Sequence, residues 1–216
     1  MTAEMQVGVF GKLPAKRDFL ALNLPLAFRT PWENWMQESV AACRDALGAR
    51  FQDQFLTAPL WRFWLGRGIC GVAATGVFMP SVDGIGRYFP LCICACGAPG
   101  ETIAPPPVNS FDAWHAAVED RLLATLDPDY AFDAGQLLAG LELLQPRGTG
   151  GASAEALVFD LFAADIQDVV AGQSWWWTVG GEGFVPRVLR FAGLPDPDTF
   201  QVFLAAVDSL NGGPAP

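Results

Sequence analysis

The stretch GVFMPSVDGIGRYFPL, Gly76 to Leu91, decides how this chain folds. Two apolar runs flank a segment that holds Asp83-Gly84 and Gly86, and Arg87 stands next to Tyr88 and Phe89. Asp and Gly tolerate the positive φ of tight turns, so this pattern predicts a β-hairpin. Val, Phe, Ile and Tyr on both sides favour strands. Ser81, Asp83 and Arg87 are then expected to gather at one tip. Three roles are open to that tip: chemistry, binding, or closing a turn with an Asp83–Arg87 ion pair that pins it.

Moving outward, WRFWLG (Trp61–Gly66), GICGVAATGVFMP (Gly68–Pro80) and RYFPLCICAC (Arg87–Cys96) make three candidate strands, and their short Gly-containing connections imply antiparallel neighbours. Cys92, Cys94 and Cys96 alternate, which on a strand puts all three thiols on one face. A closed zinc site needs four ligands from separate turns, so small buried residues are the expected role and no metal is predicted. Five cysteines, an odd number, fit reduced thiols.

Upstream, Met5–Gly11 reads as a strand, and the two prolines of KLPAKRDFLALNLP argue for irregular chain. Thr30 as N-cap, Pro31 at the first helical position and Glu33 predict a helix start, and Trp32, Trp35, Met36, Val40, Cys43 and Leu47 give it one apolar face. A short second helix is expected over Ala49–Leu56. Gly97–Asn109, with three consecutive prolines, is the clearest linker, either a sub-boundary or a crossing from sheet to helix layer.

Downstream, Ser110 caps a helix through Leu126, and another is expected over Ala134–Leu144. An apolar run covers Ala156–Ala163, FVPRVLRFAGLP reads as a strand, and Asp196–Leu210 as a closing helix. In SWWWTVGG, Trp175 and Trp177 point to one side of a strand and Trp176 to the other. The whole, residues 1–216, reads as one α/β (α+β) domain: a largely antiparallel sheet with helices on both faces. Its element order is loosely similar to a longin or profilin-like core.

Composition narrows function. The chain has 216 residues, 51 % hydrophobic and 17 % charged, with a formal net charge of −10. Such a balance is globular and repels phosphate backbones and anionic membranes, so neither nucleic acid nor lipid is the expected partner. No signal peptide or spanning segment is visible, which predicts a cytoplasmic protein without membrane insertion. His115 is the single histidine, so a triad or a paired-histidine site would have to use it; a surface or half-buried structural role is expected. GxSxG, GxxxxGK[ST] and HExxH are all absent. Asp18 and Asp83 are the one carboxylate pair open to Mg²⁺ binding or acid–base work, the basis of an alternative enzymatic reading.

Several blocks, in order, resemble the TagF family, also called ImpM, which accompanies bacterial type VI secretion systems. They are GVFGKLPAKRDFL (Gly8–Leu20), PLAFRTPWENWMQ (Pro25–Gln37), APLWRFWLGRGICG (Ala58–Gly71), the hairpin, SWWWTVG (Ser174–Gly180) and RFAGLPDPDTF (Arg190–Phe200). One departure stands in the first block, where Arg17 precedes Asp18 in place of the family's Gly. The resemblance implies a non-enzymatic accessory protein that represses secretion after translation, by sequestering a component such as the forkhead-associated scaffold protein. It also implies a link to a threonine kinase and phosphatase pathway, with no phosphatase domain expected in this chain and no cofactor. The family brings no established binding residues. Asp18, Ser81, Asp83 and Arg87, with Trp175, Trp176 and Trp177 second, are the interface residues read from the chain itself.

Overall fold

In the computed structural model, residues 2–14, 19–106, 111–127, 129–130, 134–142, 144–146 and 169–205 are described. The elements in order are β1 (Thr2–Glu4), β2 (Gln6–Lys12), β3 (Phe19–Leu22), α1 (Leu26–Leu47), α2 (Phe51–Thr57), β4 (Trp61–Leu65), β5 (Ala74–Met79) and β6 (Leu91–Cys96). They continue with α3 (Asp112–Ala124), α4 (Ala134–Leu138), β7 (Leu144–Pro146), β8 (Gln173–Thr178), β9 (Arg187–Ala192) and a last helical turn, Gln201–Leu204. Seven strands form one sheet in the order β3-β2-β6-β5-β4-β8-β9, and every neighbouring pair is antiparallel. The small pair β1-β7 stands apart from it. This is the mixed α+β, antiparallel architecture that the pattern predicts.

Strand alternation divides the interior into two layers. On one face Phe10, Trp61, Phe63, Phe78, Cys92, Cys94, Cys96 and Trp176 pack against α1 and the final turn, through Phe28, Trp32, Trp35, Phe200 and Phe203. On the other, Val7, Val9, Val77, Leu91, Ile93 and Ala95 pack against α3 and α4, through Trp114, Val118, Leu122 and Leu137. The first layer is aromatic: Trp176 lies within 6.1 Å, centroid to centroid, of Trp32, and within 5.2 Å of Trp35. Each such pair adds about 0.5–1.5 kcal/mol beyond its area. Buried indoles also tie connecting segments to the helices and the sheet. Trp35 Nε1 donates to the Pro195 carbonyl at 2.6 Å, Trp61 Nε1 to Phe203 at 2.9 Å and Trp114 Nε1 to Leu141 at 2.7 Å.

Several local expectations need correction. Helix α1 starts at Leu26, with Pro25 at the N-cap, so Thr30 is no cap and Pro31 lies inside the helix. Burial of Phe28, stacked on Trp32 at 5.3 Å, favours the added turn and offsets what Pro31 costs there. The segment after Lys12 is not wholly irregular, because β3 pairs Leu22 with Val9 and Phe19 with Lys12. Helix α4 stops at Leu138, and Leu144–Pro146 pairs with β1 as a strand. His115 is neither exposed nor half-buried but fully enclosed. The expected closing helix over Asp196–Leu210 is only two short helical turns, Pro197–Phe200 and Gln201–Leu204, which give way to extended backbone at Ala205. The apolar run Ala156–Ala163, the cap at Ser110 and residues 206–210 lie outside the described residues.

The cysteines and tryptophans stand where alternation puts them. Cys92, Cys94 and Cys96 share the aromatic layer, and all five thiols are buried and unpaired. Burial pushes the Cys70 thiol up to about 12 and the Cys43 thiol to about 11. Such thiols are poor nucleophiles and poor ligands. Trp176 is buried in the aromatic layer, while Trp175 and Trp177 border the opposite one.

Candidate functional site

Strands β5 and β6 pair from Ala74↔Cys96 to Met79↔Leu91, and residues 80–90 form the loop between them. Pro80 and Pro90 end the two strands at their junction with the loop, since proline has no N–H to give the ladder. Beyond them the chain narrows again through a Val82↔Tyr88 bridge. The hairpin therefore exists, but its tip is a folded eleven-residue loop, not a two-residue turn.

Asp83 builds this loop. Its Oδ1 accepts from the backbone N–H of Ile85 at 3.1 Å and of Arg87 at 2.8 Å. Its Oδ2 accepts from Arg87 Nε at 2.7 Å and lies 3.4 Å from Lys12 Nζ. The Asp83 N–H donates to the Arg87 carbonyl at 3.1 Å, and Gly86 N–H donates to the Asp83 carbonyl at 2.9 Å. Gly86 holds φ at +83°, which glycine adopts without a Cβ penalty. Ser81 Oγ donates to the Lys12 carbonyl at 2.7 Å, which fastens the loop base to the end of β2. At the same end Gly11 takes φ +127°, and a Cβ there would collide with the Pro90 carbonyl.

The electrostatics follow from these contacts. Burial pushes the Asp83 carboxyl up, but the hydrogen bonds from Arg87 and Ile85, with the Lys12 charge, outweigh it and hold the pKa at about 2. Burial is also the largest influence on Lys12 and lowers its pKa; Asp83 opposes this, while the Arg87 and Arg44 charges add to it. Asp83 is thus a buried anion shared by two cations, one half-exposed: 54 % of the Arg87 side chain remains accessible.

Of the residues singled out from sequence, Ser81, Asp83 and Arg87 are brought together here. Asp18 lies outside the described residues, so no distance joins it to Asp83. The three tryptophans belong to β8, which is separated from β5 by β4. Trp176 is enclosed, and Trp175 and Trp177 are half-buried. Sequence reasoning missed Lys12 as the third member of the tip cluster. Its signal was present in the charge crowding after Phe10, but the β2–β6 register that brings Gly11 beside Leu91 was not visible.

It also missed a second charged cluster, beneath α3. Arg62 of β4 is buried and makes a bidentate contact with Glu119, Nε to Oε1 at 2.7 Å and Nη2 to Oε2 at 2.9 Å. Its Nη1 reaches Asp112 Oδ1 at 3.0 Å. Nearby, Thr75 Oγ1 donates its proton to the Phe63 carbonyl at 2.8 Å, so the 3.0 Å contact with His115 Nε2 has the imidazole N–H as donor. Trp114 and Trp177 rings flank that imidazole at 5.2 and 5.1 Å. His115 is a satisfied core residue that joins α3 to β5. Among the described residues, no cluster of three His, Cys, Asp or Glu is arranged to hold a metal.

The TagF N-terminal domain, described as type VI secretion system-associated, matches residues 8–142 of the chain. The crystal structure of PA0076 from Pseudomonas aeruginosa PAO1 shares the fold with a TM-score of 0.75 and 33 % sequence identity, covering 97 % of this chain and 97 % of that one. No curated protein matches the sequence.

Proposed function

We propose that this chain, which belongs to the TagF family of type VI secretion system-associated proteins, is a cytoplasmic, non-enzymatic repressor of secretion acting after translation. It works by holding a component of the apparatus, and the forkhead-associated scaffold of the threonine kinase and phosphatase pathway is the partner proposed. The observation that carries this reading is the loop 80–90, held rigid from within by Asp83 and presenting Arg87 and Ile85 outward. A preorganised loop loses little entropy on binding, which favours recognition. Within it Arg87 and Ile85 make contact, while Ser81 and Asp83 shape the surface that a partner meets. Trp175, Trp176 and Trp177 act at one remove, by supporting the sheet.

A metal-assisted reaction through Asp83 is disfavoured by the same contacts. Both of its oxygens already serve Lys12, Arg87 and two backbone N–H groups, which leaves a metal to compete with a complete set of donors. Among the described residues no helix is long and apolar enough to cross a membrane.

Capture of the purified scaffold protein by the immobilised full chain tests the proposal. Arg87→Ala and Asp83→Ala are expected to weaken capture while the circular dichroism spectrum keeps its folded form. Capture unchanged in both variants would remove the loop from the interface.

A further inference from the structure

The two edges of the large sheet differ. At one, β3 is only four residues long. At the other, β9 runs for six residues, and its register with β8 advances one residue at a time from Thr178↔Arg187 to Gln173↔Ala192. Among the described residues no strand lies beyond it. Edge strands are commonly blunted by a proline or a bulge, and β9 has neither: Pro186 stands just before its first residue.

The register shows which main-chain groups are open. Gly193 N–H donates to the Gly172 carbonyl at 2.7 Å, so the bonded pairs with β8 recur at every second residue from there, at Phe191 and Leu189. Gly66 N–H donates to the Gln173 carbonyl at 2.9 Å, which sets the matching phase on β8: Gln173, Trp175 and Trp177 turn their main-chain groups to β4. Val188, Arg190 and Ala192, their partners in register, therefore turn N–H and C=O away from the sheet. The side chains of the same three residues are exposed, Val188 at 72 %. Val179 and Val185, in the connection between β8 and β9, extend this exposed apolar surface.

Charge decides what the edge takes. Arg187 and Arg190 stand on opposite faces of the strand. Neither makes an ion pair or a side-chain hydrogen bond among the described residues, and Arg187 Nη1 is enclosed without an acceptor. A second copy of β9 paired about Arg190 would set two guanidinium groups opposite one another, which is destabilising, whereas carboxylates at those positions are favourable. We infer that the β9 edge accepts an acidic, extended segment of a partner protein as an added strand. Main-chain bonds to Val188, Arg190 and Ala192 supply affinity; carboxylates beside Arg187 and Arg190 and an apolar side chain beside Val188 supply specificity. This goes beyond the role given to the loop 80–90, because β8 and β4 separate β9 from β5.

The test is fluorescence anisotropy of the full chain with a labelled short peptide of valines and threonines carrying glutamates spaced as Arg187 and Arg190 are. Binding is expected, with lysines in place of the glutamates weakening it about tenfold or more. Arg190→Glu, a change at an exposed position, should reverse that preference. Val188→Pro removes an outward N–H that serves no bond in the sheet; it is expected to weaken binding about tenfold while the melting temperature holds. Amide exchange locates the peptide: Val188, Arg190 and Ala192 slow when it binds, and Leu189 and Phe191, already bonded to β8, change little. Arg87→Ala is expected to leave peptide binding as it was, which keeps this surface distinct from the loop. No binding of the glutamate peptide at about millimolar concentration, equal binding of the lysine peptide, or unaltered exchange at Val188 and Arg190 would each overturn the inference. Dimerisation of the chain alone in sedimentation, abolished by Val188→Pro, would show that a second copy fills the edge and would overturn it too.

Discussion

Two charged clusters sit at different depths of the same sheet, and they are built with opposite arithmetic. At the loop tip one carboxylate, Asp83, serves two cations, Lys12 and Arg87. Beneath α3 one cation, Arg62, serves two carboxylates, Glu119 and Asp112. The second cluster is a clasp: Arg62 is buried on β4 and its planar fork fixes the first turns of α3 against the sheet. The tip cluster keeps its anion inside and leaves a cation half-exposed beside a groove. At the clasp the shared cation and Glu119 are enclosed and the exposed member is the carboxylate of Asp112, so the cluster holds structure; at the tip the exposed member is the cation Arg87, which holds a positive surface ready. The two therefore respond differently to mutation.

The largest effect is expected at the clasp. Arg62→Ala strands Glu119 at a mostly enclosed position, and urea unfolding should register a loss of about 3 kcal/mol, the usual cost of breaking a buried pair from one side. Arg62→Met with Glu119→Leu should recover most of it, because an apolar replacement removes both desolvated charges together. If the single variant were as stable as the parent, the clasp would be an idle surface contact.

Asp83→Ala comes next. It removes the acceptor of two backbone N–H groups and two side chains, and the melting temperature should fall on the order of 5 °C. The loss is local: faster amide exchange at Ile85 and Arg87, with the exchange of β5 and β6 little altered, distinguishes a loosened loop from a weakened sheet.

A smaller effect follows with pH. The folded pKa of Asp83, about 2, lies below the unfolded value of about 3.9. The folded state therefore binds its proton less readily than the unfolded chain does. The stability this supplies is complete above the unfolded pKa and is lost as pH falls from about 5 toward about 2. Asp83→Asn should flatten this part of the acid melting profile; an identical profile would show that Asp83 does not hold the loop by its charge.

The smallest effect is Arg44→Ala on stability. An exposed side chain over one ring should shift the melting temperature by no more than about 1–2 °C. A large loss of stability would make Arg44 part of the scaffold of the fold.

Much of this contrast was written locally in the chain, and part of it was not. The Asp83–Arg87 pair is four residues apart, so turn chemistry was enough to expect it. The alternation of Cys92, Cys94 and Cys96, and the division of the three tryptophans, follow from a period of two and needed no tertiary knowledge. Arg62 and Glu119 are separated by 57 residues, and nothing in WRFWL marks its arginine as an inward-facing one. The sequence rule that charges sit outside failed there because α3 supplies the compensating carboxylates. His115 was misplaced for the same reason, since its partner Thr75 is forty residues away. The start of α1 was misread because Thr30-Pro31 is a strong local signal that burial of Phe28 overrides. Lys12 and Arg44 enter the groove only through the sheet register and the packing of α1, neither of which periodicity specifies.

The central claim is that the loop 80–90 is a recognition surface whose working charge is Arg87. The most direct measurement is quantitative capture of the purified forkhead-associated scaffold by the parent chain and by Arg87→Glu, with Arg62→Met/Glu119→Leu as the folded control. Reversal at the tip is expected to reduce affinity by about tenfold or more, while the clasp variant binds as the parent does. Equal affinity for Arg87→Glu and the parent, at equal melting temperature, would contradict the account.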